Sequence, residues 1–226
     1  MKAMLSLVAD TPNGERTFDA EIDRLIIAGW TGRDQAAVLA HVRELELLGV
    51  RPPKTTPIFY RAACGLLTTQ SAIEVSGDAS SGEAEVVMLI LPDGEWIAVG
   101  SDHTDRELEK TGVTFSKQLC AKPLGRRAWR FGDVADHWDE LILRSYATCG
   151  SQRRLYQEAS VARLRHPKDL LGAVGPLAAG TAMFCGTVPV MGGIGWADEF
   201  AVELEDPVLR RRLSHRYTVC ALPVEG

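Results

Sequence analysis

Apolar positions along this chain recur at short intervals and in short runs, a pattern of strands more than of long helices. The opening segments MLSLVAD and ERTFDAEI flank Asn13-Gly14, residues that tolerate positive φ, so a β-hairpin is expected there. From Arg33 to Leu48 the spacing changes: Val38, Val42, Leu45 and Leu48 repeat at helical intervals, with Gly49 as the C-terminal cap and Pro52-Pro53 as the stop. The runs PIFYRA, AIEV, AEVVMLIL and EWIAVG then read as strands, the last two joined by a turn at Pro92-Asp93-Gly94. PLGRRAWRFGDV reads as loop and strand, while ADHWDELILRSYA and QEASVARLR are expected to be helices. The later stretch LAAGTAMFCGTVPVMGGIGWADEFAVELE is β-branched, aromatic and glycine-rich, hence strands with tight turns. Many strands, few helices and no regular βα alternation give a mainly-β, α+β fold.

Composition adds bounds. With 226 residues, 46% of them hydrophobic, the chain can bury one sizeable core. No repeat, low-complexity segment or linker divides it, so residues 1–226 are read as one domain, with 1–28 a β-hairpin extension. A formal net charge of −5 argues against nucleic acid or an anionic membrane as partner. Arg210-Arg211-Arg212, the densest basic run, reads as a solvated face. No apolar run reaches the roughly 20 residues of a membrane helix, and the N-terminal segment lacks the features of a signal peptide, so a cytoplasmic location is expected. The cysteines at 64, 120, 149, 185 and 220 form no C-x-x-C pair, which points to neither a disulfide framework nor a zinc site.

Two groupings could carry chemistry. In SGEAEVVMLIL, Glu83 and Glu85 lie two apart on a strand and share a face, beside a run of apolar residues. Paired carboxylates repel unless a cation or proton lies between them. The same spacing at Glu44/Glu46 and Glu203/Glu205 shows how weak the pair is alone. The turn at 92–94 would return EWIAVGSD along the glutamate strand and bring Asp102 to the pair. Three such carboxylates are hard oxygen ligands suited to Mg²⁺, Mn²⁺ or Ca²⁺. Pattern alone leaves a second reading open, in which Asp102 and Asp105 pair with Arg106 at the surface. The other grouping is His41 and Glu44, at i and i+3 on the expected helix, where a carboxylate can orient an imidazole as a general base. His103, His137, His166 and His215 have no comparable partner and are read as structural.

Together these residues resemble the fumarylacetoacetate hydrolase superfamily, in particular its small acylpyruvase and oxaloacetate decarboxylase members. SDHTDRELE is similar to that family's N/D-D-x-S/T-A-R-D-L/V-Q stretch, SKQLCAKPLG to its K-S-F-x-x-x-x-P segment, and Glu83-x-Glu85 to its strand-borne E-x-E. GRDQAAVLAHVREL followed by PIFYR resembles G-R-N-Y-x-x-H-x-x-E leading to P-x-x-F-x-K, and GTAMFCGTVPVMGG resembles G-D-I-I-x-T-G-T-P-x-G. The order of these motifs is more specific than any one of them. This chain departs from the pattern in a longer spacing between Gly32-Arg33 and His41, and in having a hairpin where typical members carry a helix between Glu85 and Asp102. It also has Asp105, Glu109 and Gly180-Thr181 in place of Ala, Gln and Gly-Asp.

The resemblance implies a β-rich roll with flanking helices, acting as a catalytic domain and usually a homodimer. It implies Mg²⁺ (or Mn²⁺, Ca²⁺) held by Glu83, Glu85 and Asp102, and Lys117 assisting a metal-stabilised enolate. His41, oriented by Glu44, would activate water, and Arg33 with Thr187 would hold the substrate's carboxylate end. The expected reaction is hydrolytic C–C cleavage of an acylpyruvate-like 2-oxo acid or 1,3-dicarbonyl. A lyase acting on a 2-oxo acid or sugar acid, or a non-catalytic ligand-binding protein, are the alternatives.

Overall fold

Strand pairing dominates the chain. A computed structural model describes residues 2–11, 14–47 and 52–225, with the side chains of His41, Glu44, Leu45 and Leu47 outside the description. Among the described residues, an eight-stranded mixed sheet runs in the order Gly14–Ile22, Ala3–Thr11, Arg127–Arg130, Gly94–Ser101, Ala84–Leu91, Thr181–Thr187, Arg24–Gly29, Ile58–Ala62. A five-stranded sheet runs Gln152–Ser160, Ile142–Cys149, Glu199–Asp206, Arg211–Leu222, Ala72–Ser76. Two short ribbons pair Thr104–Asp105 with Ser80–Ser81, and Lys122–Pro123 with Leu67–Thr68.

The large sheet is rolled about its own interior. Leu5, Leu7, Ile22, Leu25, Ile27, Val87, Leu89, Trp96, Ala128 and Phe184 form one buried cluster, and they come from seven of its eight strands. Val86, Met88, Ile97, Val99 and Met183 point the other way and pack on Leu143, Val202, Leu204 and Leu213 of the smaller sheet. Strand Ala84–Leu91 is therefore buried on both faces, as its unbroken apolar run requires. Each fully buried Val or Leu there stabilises by roughly 1.5–3 kcal/mol. That anchorage fixes the strand that carries Glu85.

The hairpins read from the sequence are present. Ala3–Thr11 pairs along its whole length with Gly14–Ile22, and the Asn13 side of that turn lies outside the described residues. Ala84 pairs with Ser101 and Leu91 with Gly94 across the 92–94 turn, so a plain hairpin spans Glu85 to Asp102. The expected helix forms as Gln35–Leu47; its Leu48 and Gly49 end is outside the described residues.

Two expected helices are not formed. ADHWDELILRSYA splits into a 3₁₀ segment, Ala135–Glu140, and strand Ile142–Cys149; QEASVARLR lies in strand Gln152–Ser160 and a short 3₁₀ turn. The reason is a period of two hidden inside a helix-like spacing. Leu143, Ser145 and Ala147 point inward, while Ile142, Arg144 and Tyr146 lie on the opposite, partly exposed face. Arg144 then pairs across the sheet with Glu158 and Glu205, contacts that exist only between strands. Helices Arg106–Thr111, Val113–Leu119 and Pro167–Val174 and strand Arg211–Leu222 were not read from the pattern. In the arginine run, Arg211 pairs with buried Asp206 and Arg212 with Glu203, so acids of the sheet engage both side chains.

Candidate functional site

The glutamate hairpin ends where the polar residues begin. Glu85 continues the inward file of Val87 and Leu89, and across from it stands Gly100, where a Cβ would meet Pro123 O at 2.9 Å and the Val87 side chain at 3.0 Å. The Asp102 amide donates to Glu83 O (3.0 Å), and the Glu83 amide donates to Ser101 Oγ (3.2 Å). These bonds close the hairpin's open end and bring Glu83, Glu85 and Asp102 together, with one carboxylate oxygen of each within 4.8 Å of the others.

Cations surround this group. Lys117 donates to Asp102 Oδ2, and Lys122 Nζ lies 2.9 Å from Oδ1 while donating to His103 O at 2.5 Å. Arg106 contacts Glu83 (3.2 Å) and Glu109 (2.9 Å), and its Nε donates to Ser81 Oγ. Asp102 is wholly buried and meets two lysines, so the surface pairing with Arg106 is not what forms; Arg106 takes Glu83 instead. Asp105 caps the helix that follows, its Oδ1 accepting from Leu108 N at 2.7 Å. The turn and the site floor are one structure.

Burial and charge divide the acids. Burial pushes the Glu85 carboxyl well above its ordinary range, and the Asp102 and Glu83 charges add to this, against Lys117 and the Gly186 N–H. For Asp102 burial acts in the same direction, but Lys117 and Lys122 reverse it and hold the carboxyl far below its usual value. Burial disfavours the Lys117 ammonium, yet Asp102, Glu83 and Glu85 more than restore it. Glu85 therefore needs a proton or a cation, whereas Asp102 stays ionised. Asp102 Oδ1, buried, receives no well-aligned hydrogen bond. Hard oxygen donors, a carboxylate that repels its neighbours and an unsaturated buried oxygen fit Mg²⁺ or Mn²⁺.

A β-bulge aims the remaining donor. Between Phe184 and Thr187 the register against the glutamate strand shifts, and Gly186, at φ +98°, turns its N–H to Glu85 Oε2 at 2.7 Å. A Cβ there would lie 1.7 Å from Thr31 Oγ1. Gly186→Ala is expected to destabilise by about 2–4 kcal/mol, from backbone strain plus overpacking. Thermal unfolding should show a Tm roughly 5–15 °C lower; an unchanged Tm would contradict the tight fit.

The family model described as Protein of unknown function (DUF2848) matches residues 28–217. The chain belongs to the DUF2848 family. No curated protein matches it in sequence. Solved structures share the fold of this DUF2848 chain. A candidate fumarylacetoacetate isomerase/hydrolase from Oleispira antarctica aligns at TM-score 0.68 and 17% identity, over 94% of this chain and 98% of that one. Yeast ynq8, a fumarylacetoacetate hydrolase family protein, aligns at TM-score 0.61 and 14% identity, over 90% and 95%. A 2-keto-3-deoxy-D-arabinonate dehydratase complexed with magnesium and 2,5-dioxopentanoate aligns at TM-score 0.65 and 14% identity, over 95% and 79%. At these identities the likeness is one of fold, and the fold is that of the fumarylacetoacetate hydrolase superfamily, mainly β with few helices.

In this DUF2848 chain the structure joins Glu83, Glu85, Asp102 and Lys117, and leaves Arg33 elsewhere. The Arg33 guanidinium is paired with Asp139 through two 2.7 Å bonds and donates to Leu164 O; no bond to the carboxylate cluster is found among the described residues. Thr187 lies opposite Glu85 on the paired strand, but its hydroxyl donates to Ala84 O (2.8 Å) and accepts from Gln157 Nε2 (2.8 Å). The side chains of His41 and Glu44, on helix Gln35–Leu47, lie outside the described residues.

Three site residues escaped the sequence reading. Lys122 stands in the same segment as Lys117, but only burial reveals its contact with Asp102. Tyr60, on strand Ile58–Ala62, places its ring centroid 6.0 Å from Lys117 Nζ. Gln157 gave no signal at all. His103 is neutral, pushed down to about 3 by burial and then by Lys122 and Arg106, and is spent between Tyr217 Oη (3.1 Å) and Ser80 Oγ (2.9 Å). Burial raises the Cys120 and Cys185 thiols to about 11 and about 12, which removes both as thiolate nucleophiles at neutral pH.

Proposed function

We propose that this chain is a divalent-metal-dependent enzyme that cleaves a C–C bond in an acylpyruvate-like 2-oxo acid or 1,3-dicarbonyl, hydrolytically. The observation that carries the reading is the cluster of half-buried Glu83 with buried Glu85 and Asp102, and Lys117 seated on Asp102. Those three carboxylates would hold Mg²⁺ or Mn²⁺, which when bound supplies electrophilic polarisation of the substrate's oxygens. Lys117, kept as an ammonium by its acidic neighbours, offers positive charge where negative charge develops on the departing fragment. Glu85, desolvated and beside two other carboxylates, would exchange its proton for the metal on binding. His41, with Glu44, is proposed as the base that takes a proton from water. Arg33 would need to leave Asp139 to reach a substrate carboxylate, so its part in the proposal requires motion.

Metal-dependent dehydration is the second reading, and the magnesium-bound dehydratase that shares this fold supports it. Residues 1–226 are proposed to act as one catalytic domain, with 1–28 an extension, assembled as a homodimer in the cytoplasm. No helix among the described residues is long and apolar enough to cross a membrane. The deciding experiment is a panel of 2-oxo acids and 1,3-dicarbonyls, run after chelation and again with Mg²⁺ or Mn²⁺ restored, with products identified. Two fragments from one substrate, formed only with metal, are expected. Loss of water without cleavage would select the dehydratase. Turnover indifferent to chelator would end the metal reading, and binding without any product would select the non-catalytic one.

A further inference from the structure

Gln157 is a polar side chain with no solvent exposure, on a strand of the smaller sheet, and every hydrogen-bonding position of its amide is filled. Its Oε1 accepts from the Ala84 amide (2.9 Å) and from Ser145 Oγ (2.7 Å). Its Nε2 donates to Thr187 Oγ1 (2.8 Å) and to Val188 O (2.6 Å). Thr187 then donates its one hydroxyl proton to Ala84 O at 2.8 Å. Both backbone polar groups of Ala84, the residue between Glu83 and Glu85, are thus held by one Gln–Thr pair. The same pair fixes the chain just after Gly186, whose N–H meets Glu85.

We infer that Gln157 and Thr187 form a positioning brace that sets the spacing of Glu83 and Glu85 for the metal, and that Thr187 is not a contact for the substrate's carboxylate. The inference rests on the metal reading above. Physically, a hydroxyl has one proton, and here it is spent on Ala84 O, so the group has nothing to donate to an anion. The amide of Gln157 reaches across from the second sheet to a strand it does not pair with. An apolar side chain would leave the Ala84 amide, the Ser145 hydroxyl and Val188 O without this partner, at a buried site where each such loss is costly. Groups that orient metal ligands without touching the metal typically alter affinity by about 10–100-fold when removed.

The test uses Mn²⁺ alone, with no substrate, titrated into the full chain and read by electron paramagnetic resonance. Thr187→Val keeps shape and removes only the hydroxyl. It is expected to weaken Mn²⁺ binding about 10-fold or more and to broaden the spectrum of the bound ion. Thr187→Ser restores the hydroxyl and should bring affinity back to near the unmodified protein. Gln157→Met should weaken binding comparably, and adding Thr187→Val to it should cost little more, because both act through one brace. Melting curves accompany each titration; should Gln157→Met fail to fold, the Thr187→Val and Thr187→Ser pair decides alone. Unmodified protein that binds Mn²⁺ tightly, alongside a Thr187→Val variant that binds it equally well, overturns the brace and leaves the metal reading standing. Unmodified protein that binds no Mn²⁺ overturns the metal reading and the brace with it.

Discussion

Asp102→Ala is expected to be the most damaging single substitution in the site, lowering Tm by about 10–20 °C on a cost of roughly 5 kcal/mol. The side chain has no solvent exposure and sits between two buried ammonium groups, Lys117 on one oxygen and Lys122 2.9 Å from the other. Removing it leaves both cations in a dry environment without their carboxylate, and breaking one such pair already costs about 3–5 kcal/mol. Asp102→Asn keeps the shape and an acceptor oxygen, so it should lose less stability while still losing metal-induced stabilisation. Differential scanning calorimetry with and without Mg²⁺ measures both effects. An alanine variant that melts with the unmodified protein would mean the lysines are satisfied by other groups.

The second large effect concerns turnover. Lys117→Met should reduce kcat by about 10²–10³-fold, the usual consequence of losing one preorganised donor at a developing negative charge. Metal affinity should hold or rise, since a cation that competes for Asp102, Glu83 and Glu85 has been removed. That opposition makes the variant informative: slower chemistry at full metal loading separates a role in the reaction from a role in building the site. Equal turnover at saturating metal would remove Lys117 from the reaction.

Much of the site was legible before the fold was known, because its acids lie close in sequence. Glu83, Glu85 and Asp102 belong to one hairpin, so the 92–94 turn brings Asp102 within reach of the pair, while pattern alone also allowed its surface pairing with Arg106. Their electrostatic setting was not legible. Nothing local says that Lys122 will be buried against Asp102, or that Arg106 will choose Glu83 over Asp102. Gln157 is further still from the hairpin in sequence, and its role exists only because the smaller sheet packs there. The misread helix at 135–147 has the same origin: helical spacing and a buried period of two coexist in LILRSYA, and strand partners more than fifty residues away decide between them. Thr187 illustrates a different limit. Its position opposite Glu85 fits the motif it was read from, while the direction of its single proton is a matter of neighbours.

The plain hairpin between Glu85 and Asp102 has a consequence for how the protein acquires its site. All three acids lie within one contiguous stretch, closed by a two-residue turn at 92–93, so the entropy of bringing them together is that of a short local loop. Their compensating cations, Arg106, Lys117 and Lys122, follow immediately in the chain. During folding, a charged hairpin can therefore find its neutralising partners within a segment of low sequence separation, before the roll closes around it. Long-range packing then seals the site and adds its remaining partners, the Gly186 N–H on Glu85 and the Gln157–Thr187 pair on Ala84.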